Sequence, residues 1–419
     1  MKEGTVTCLL LAAILLCPHP MAAQEDAGVS PLIADSVRAA WHAALADDDS
    51  ARVLCAWSLR TSTGAHIESV LLRAGQRDGF SVRSLTDPAA VCEDTHPAVV
   101  LLADGGVLAG WQRGCADGMR QGQHVMAAVF DADLRPVNDA LLPSDAVGLA
   151  PAAGRRVIGD AVMLWQDYRN GGADIYAQRF DRNGRAAGAT VMLNDDASRA
   201  LQGPPRVAAD CGDEFLAVWP DNREDNMWKF MAASFDGAQA GRNLLVDSAQ
   251  RKAMTMLVSA VAMPGDSALF AWKDYREGHS NVYLRRADLR GGTLSPAERL
   301  NDDTTDRWQR QPVLDSDGRG NVVACWEDYR HSLRNQKGDI YMQVFARDGS
   351  RIGANRRVND DTTRVARKMP RIAMLRDGIY LVVWHQGDEG NFELYGQWFR
   401  YPAERIGRNF RISLSEDDR

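Results

Sequence analysis

The feature that most constrains this chain is a tryptophan that keeps returning. The markers are Trp57, Trp111, Trp165, Trp219, Trp272, Trp326 and Trp384, at steps of 54, 54, 54, 53, 54 and 58 residues. Each closes a short apolar run, such as Val53-Leu54-Cys55-Ala56 or Val322-Val323-Ala324-Cys325. Runs of this length, bounded by Gly, Asp and Pro, predict buried strands. A unit repeated at a fixed period buries its apolar faces only by stacking on its neighbours.

A second register runs ahead of the first. Fourteen residues before the marker stands Pro97, Pro151, Pro205, Pro312 or Pro370, with Val258 and Ala43 at the same place in the two remaining repeats. Proline lacks an N–H, so it is expected to start a strand there. An apolar strand follows, then a turn such as Asp377-Gly378, then the tryptophan strand. After the marker come a polar loop, a third strand such as Ile340 to Phe345, an Asp/Asn/Gly turn and a fourth strand. A connector such as Asn301-Asp302-Asp303-Thr304-Thr305 leads to the next unit.

Four short antiparallel strands per unit predict an all-β, seven-bladed β-propeller spanning 24–419 as a single domain. An extended β-solenoid or a tandem sandwich array is the competing architecture. Closure is open at this stage. The first blade begins near Ala43, in a stretch (Ser36 to Ala46) that also reads as a helical turn. Pro31 to Asp35 and Phe410 to Leu414 both align with the outer strand of the last blade.

Residues 1–23 have the form of a secretory signal, with Lys2, an apolar run from Leu9 to Leu16, and Ala22-Ala23 before Gln24. A buried N-terminal helix is the alternative. Cys17 raises lipidation, but Leu16 does not suit a lipobox. The run is too short for a comfortable span, and no later stretch reaches transmembrane length. The chain is therefore expected to be exported (periplasmic, cell-surface or secreted) and monomeric. A net charge of -7 and no basic run argue against nucleic acid.

Five cysteines follow the signal, with no C-x-x-C pair for zinc. Cys92 enters blade two and Cys115 lies in the loop after that blade's tryptophan, so a Cys92–Cys115 disulfide is expected. Cys55 and Cys325 read as small core residues.

Four repeats carry Trp-x-Asp-x-Arg: Asp167 and Arg169, Asp221 and Arg223, Asp274 and Arg276, Asp328 and Arg330. A residue repeated blade after blade is structural. The aspartates are expected to accept loop N–H bonds and the arginines to pair with carboxylates. The indole N–H groups each need a partner. No cofactor and no metal site are expected; Ca²⁺ is the one ion the Asn-Asp-Asp-Thr connectors could hold, and turn chemistry accounts for them equally.

Blades seven, one and two lack the Asp and Arg. In a closed ring they are neighbours. Candidate ligand-binding residues there are Arg60, Arg113, Asp117, His124, His385 and Asp388, with His66, Arg120 and Glu389 nearby. Drift in terminal repeats is the alternative explanation. There is no G-x-S-x-G, H-E-x-x-H or P-loop, and catalytic residues are not identified.

The unit Trp-x-Asp-x-Arg…Asp-Ile-Tyr…Val-Asn-Asp…Pro-x-Val-Ala…Asp-Gly resembles repeats of exported bacterial β-propeller proteins of uncertain role. The resemblance covers about residues 36 to 415 and is weak in blades one and two. It implies architecture and carries no catalytic residue. The leading expectation is a non-enzymatic propeller binding a protein or glycan through its loop face. The alternatives are a glycan-active hydrolase with its site in the arc of blades seven, one and two, and a structural module of a cell-surface assembly.

Overall fold

The computed structural model describes residues 40–47, 51–61, 64–115, 123–138, 148–155, 160–196, 200–211, 214–223, 228–247, 258–332, 337–361, 363–388 and 391–413. These are strands, turns and connectors; no helix occurs among them. None of the described residues forms a helix long and apolar enough to cross a membrane. The proposed signal segment and Pro31 to Asp35 lie outside the described residues.

The Trp326 unit shows the pattern. Its strands are Gln309–Ser316, Val322–Asp328, Asp339–Phe345 and Arg351–Arg357, paired in that order and antiparallel. The units around Trp165, Trp219 and Trp384 are likewise four-stranded sheets. In the Trp272 unit the outer strand splits into Thr293–Leu294 and Glu298–Arg299. The Trp57 and Trp111 units share one sheet through a single parallel pair, Ala65↔Glu93. The contact is tight: a Cβ on Gly64 would stand 2.4 Å from the Cys92 carbonyl oxygen.

At the start of the chain, Ala40–Asp47 is a strand paired with Arg52–Arg60, so the helical reading of this stretch fails. Pairing with the tryptophan strand decides it. At the other end Glu404–Arg411 is the outer strand of the Trp384 unit.

The prolines require a correction. In the Trp111, Trp326 and Trp384 units the first strand begins several residues before the proline, at Cys92, Gln309 and Ala366. The register shifts where the proline falls, between Thr95 and Ala98, Arg310 and Val313, and Lys368 and Arg371. The preceding residues His96, Gln311 and Met369 have φ of 53°, 53° and 53°. The proline therefore occupies a bulge. A bulged residue is left out of the ladder, so the missing N–H costs no hydrogen bond there. Only in the Trp219 unit does the strand, Arg206–Cys211, begin just after its proline.

Strand alternation makes the core. In the Trp326 unit Val322, Ala324 and Trp326 pack on the Trp272 unit, whereas Val323 and Cys325 pack on the Trp384 unit. Every marker tryptophan thus faces the preceding unit. The rule carries across the ends of the chain: Val53, Cys55 and Trp57 pack against Leu381, Val383 and Trp398. Trp398 Nε1 also donates to the Gln76 carbonyl at 2.7 Å. The first strands lie side by side, and Ala40–Asp47 has both Cys92–Leu101 and Ala366–Met374 as neighbours. The result is an all-β, propeller-like assembly of antiparallel sheets.

Trp326 is fully buried in such a seam. Trp326→Ala should cost about 3–5 kcal/mol, read as a lower urea midpoint. An unchanged midpoint would refute the core assignment.

Candidate functional site

The Trp-x-Asp-x-Arg loops resolve into one bonding scheme. Trp326 Nε1 donates to Asp328 Oδ2 at 3.0 Å, and Arg330 returns its backbone N–H and Nε to Asp328 Oδ1, each at 2.9 Å. Arg330 Nη1 then reaches Asp302 of the preceding connector at 2.9 Å. Its guanidinium lies 4.1 Å from the ring centre of Tyr341, which is the register partner of Trp326. Trp165, Trp219 and Trp272 donate in the same way to Asp167, Asp221 and Asp274 at 3.0, 3.2 and 3.1 Å. Arg223 ties back to Asp195 and Arg276 to Asp247. Arg169 closes on Asp167 and stacks on Tyr176. Burial alone would raise the Asp167 carboxyl. The hydrogen bonds from Arg169 and Trp165 hold it below the usual value.

The connector asparagines are also occupied. Asn194, Asn301 and Asn359 each accept the N–H that opens the third strand, of Ile175, Val282 and Ile340, at 2.9, 2.9 and 3.0 Å. Asp303 accepts from Thr305 and Gln309. These are turn and strand-end bonds. Among the described residues there is no cluster of three or more His, Cys, Asp or Glu that could hold a metal ion.

The described candidates of the degenerate arc are engaged as follows. Arg60 makes a bidentate pair with Glu93 at 2.8 and 2.7 Å, and Arg113 with buried Asp94 at 2.7 and 2.7 Å. The first pair joins the Trp57 unit to the Trp111 unit, and the second joins two strands of the Trp111 unit. His124 is the register partner of Arg113, two strands out from the innermost one, and its buried Nε2 lacks a partner. His66 is buried 3.6 Å from Glu68. Asp388 meets Lys337 at 2.8 Å. Asp117, Arg120 and Glu389 lie outside the described residues. Cys92 is disulfide-bonded, and the strand register sets Cys115 directly opposite it.

Losing the aspartate has a visible consequence. Leu59 and Arg113 stand where Asp328 would, and the buried indole N–H groups of Trp57 and Trp111 have no partner. In the Trp384 unit Gln386 substitutes, accepting from Trp384 Nε1 at 3.0 Å.

Among the described arc candidates, His385 is acted on by Arg371 of its own unit, and Arg371 in turn by Arg206 and Glu327 of the Trp219 and Trp326 units. Arg206 and Arg371 follow the proline in their first strands, and their Nη1 atoms donate to the Pro205 and Pro370 carbonyls, each at 2.9 Å. Both arginines are half-buried. Burial and Arg206 push the Arg371 guanidinium down to about 10. Burial, Arg206 and Arg371 push His96, from the Trp111 unit, down to about 4.

Glu327 closes the cluster. It is buried, accepts the Met369 N–H at 2.8 Å and the Tyr329 hydroxyl at 3.0 Å. Burial raises its carboxyl, against the opposing pull of these bonds, Arg310 and Lys368. Arg310 stacks 4.1 Å from the ring centre of half-buried Trp308. Burial and Arg371 push His385 down to about 3, with the Lys368 backbone opposing, and neither ring nitrogen makes a hydrogen bond of normal geometry.

The sequence candidates omit Arg206, Arg371, His96 and Glu327. One signal was available. The position thirteen residues before each tryptophan reads Ala44, Ala98, Ala152, Arg206, Ser259, Val313 and Arg371. Two arginines in an otherwise small-residue register stand out.

No family model matches the chain, and no curated protein does. Among solved structures, the chain is similar to a Dyadobacter fermentans protein of unknown function, with 11% identity and a TM-score of 0.49 over 70% of this chain and 91% of that one. It is similar to a Penicillium chrysogenum alpha-L-arabinanase, with 10% identity and a TM-score of 0.48 over 73% and 92%. It is also similar to a Streptococcus pneumoniae sialidase, with 8% identity and a TM-score of 0.46 over 90% and 69%.

Two outcomes are expected. Asp328→Ala orphans a buried indole N–H and strips Arg330 of its main partner, and should cost about 3–5 kcal/mol in chemical unfolding. His385 is neutral in the folded protein and titrates near 6.5 when unfolded. The unfolded chain therefore binds the extra proton first. Stability present above pH 6.5 is lost as the pH falls toward 3, by up to about 1.4 kcal/mol per pH unit. His385→Gln should flatten the pH dependence of Tm in that window.

Proposed function

We propose that the chain is an exported, closed seven-bladed β-propeller that binds a glycan at the axial mouth of its Trp-x-Asp loop face. Support for the closed ring comes from the apolar seams between consecutive units, and from the equivalent seam joining the last unit to the first. Support for export is the N-terminal signal pattern. The observation that carries the binding site is the pair Arg206 and Arg371, half-buried at one register position whose equivalents in the other units are Ala, Ser or Val, with both arginines acting electrostatically on His96. A few polar groups set in a mostly apolar surrounding are the ordinary make-up of a ligand site.

Binding without catalysis fits the loop-face acids better. Glycoside hydrolysis usually takes two carboxyl groups flanking the bond. Asp167, Asp221, Asp274 and Asp328 are each engaged by an indole and a guanidinium, and Asp94 by Arg113. A hydrolase is the second reading, and one observation favours it. Glu327 is a buried carboxyl whose pKa is raised, which is how a general acid is kept protonated.

A glycan array followed by reducing-end assays separates the two. Retention of one glycan class with no released ends is the expected result. Release of ends that Glu327→Gln abolishes at unchanged Tm would establish the hydrolase. Binding to no glycan would overturn both.

A further inference from the structure

At the end of the Trp57 strand away from its loop, three arginines face one recess. Its volume is about 350 Å³, and Arg52, Arg73 and Arg83 line it together with Leu71, Phe80 and Leu134. Strand register brings the arginines together. Arg52 opens the strand Arg52–Arg60, Arg73 closes Ala65–Arg73, and the two are direct partners in the antiparallel ladder. Arg83 starts the short outer strand Arg83–Ser84 and is the partner of Ser69. Ser69, Leu71 and Arg73 alternate onto one face of their strand, so the three guanidinium groups share one face of the sheet. The Trp111 unit closes the recess with the turn Ala132-Asp133-Leu134. Arg52 reaches across to that unit: a Cβ on Gly105 would stand 3.1 Å from its Nη2.

This placement works against the fold. Like charges directly opposite in a ladder are destabilising. The equivalent pairs in the Trp272 and Trp384 units, Ser267↔Asp288 and Ile379↔Arg400, carry one charge each. Arg73 donates its backbone N–H to Gln76 and Arg83 offers its carbonyl to Ser69, and among the described residues neither guanidinium has a partner. Asp133, the one carboxylate lining the recess, meets Arg135 at 2.9 Å.

Guanidinium forks suit carboxylates and phosphates. Three forks from three strands exceed what the two oxygens of a carboxylate can use. A phosphomonoester presents three oxygens and close to two negative charges. The recess has the size of a small-molecule site, larger than a bare ion needs. Its apolar wall is held in place, since Phe80 packs edge-on against Phe410 of the Trp384 unit at 6.5 Å between ring centres.

We propose that this recess binds a small organic phosphomonoester, with the phosphoryl group on Arg52, Arg73 and Arg83 and the organic part against Phe80 and Leu71. The proposal does not depend on glycan binding at the loop face.

The test is calorimetric titration of the whole protein with glucose 6-phosphate, glycerol 3-phosphate, inorganic phosphate and glucuronate, using wild type, Arg73→Gln, Arg83→Gln and Phe80→Ala. The two esters should bind, more weakly at high salt and more tightly than inorganic phosphate. Each arginine variant should weaken them by about tenfold or more, as expected for loss of a charge-assisted pair. Phe80→Ala should remove the advantage of the esters over inorganic phosphate. The arginine side chains are exposed, so Tm should not fall in their variants, which separates loss of ligand from loss of fold. Glucuronate binding as tightly as the esters would overturn the phosphoryl assignment. Ester binding undiminished in both arginine variants would overturn the recess as the site. Binding to phosphatidylcholine vesicles containing phosphatidate, with none of the soluble phosphates bound, would overturn the small ligand. Silence from every phosphate probe would overturn the proposal outright.

Discussion

The packing of this molecule depends on burying an indole in each seam between sheets. A tryptophan is large enough to fill that gap, and its buried nitrogen costs least where it finds an acceptor. In the Trp165, Trp219, Trp272 and Trp326 units the acceptor is the aspartate two residues on, which alternation places on the same face of the strand. Burying that carboxylate creates a new demand. The arginine two residues further meets it, and its guanidinium reaches across to the preceding unit in the Trp219, Trp272 and Trp326 units. Packing, hydrogen bonding and charge pairing thus follow from one another in sequence order, and together they fasten each sheet to its neighbour.

The same chain of demands explains the rest of the repeat. The guanidinium needs a surface to lie on, which Tyr176, Tyr283 and Tyr341 provide at 4.3, 4.3 and 4.1 Å. The third strand needs its opening N–H capped, which the connector asparagine supplies. Where the aspartate is missing, next to Trp57 and Trp111, the tie between units is made differently. Arg60–Glu93 and the backbone pair Ala65↔Glu93 take over between the Trp57 and Trp111 units, and Arg113–Asp94 joins two strands within the Trp111 unit.

Much of this was legible in the sequence because it is local. The fifty-four-residue spacing, the alternation within each strand, and the Trp-Asp-Arg triplet all concern residues close in the chain, whose relative placement strand geometry dictates. The prolines misled because missing N–H groups fit both a strand start and a bulge, and only the register of the partner strand distinguishes them. The candidate site was less legible: Arg206, Arg371 and His96 lie between 110 and 275 residues apart, and only the shared register of the two arginines sets them off in the sequence.

The two kinds of arginine make the argument about function. Those in the loops are paired and stacked, and repeating them strengthens the scaffold. Arg206 and Arg371 are not repeated in the other units, and burial, with Arg206 as a second cause, lowers the affinity of Arg371 for its proton. A scaffold gains nothing from such a placement: Ala98, Ala152 and Val313 fill the equivalent position without charge.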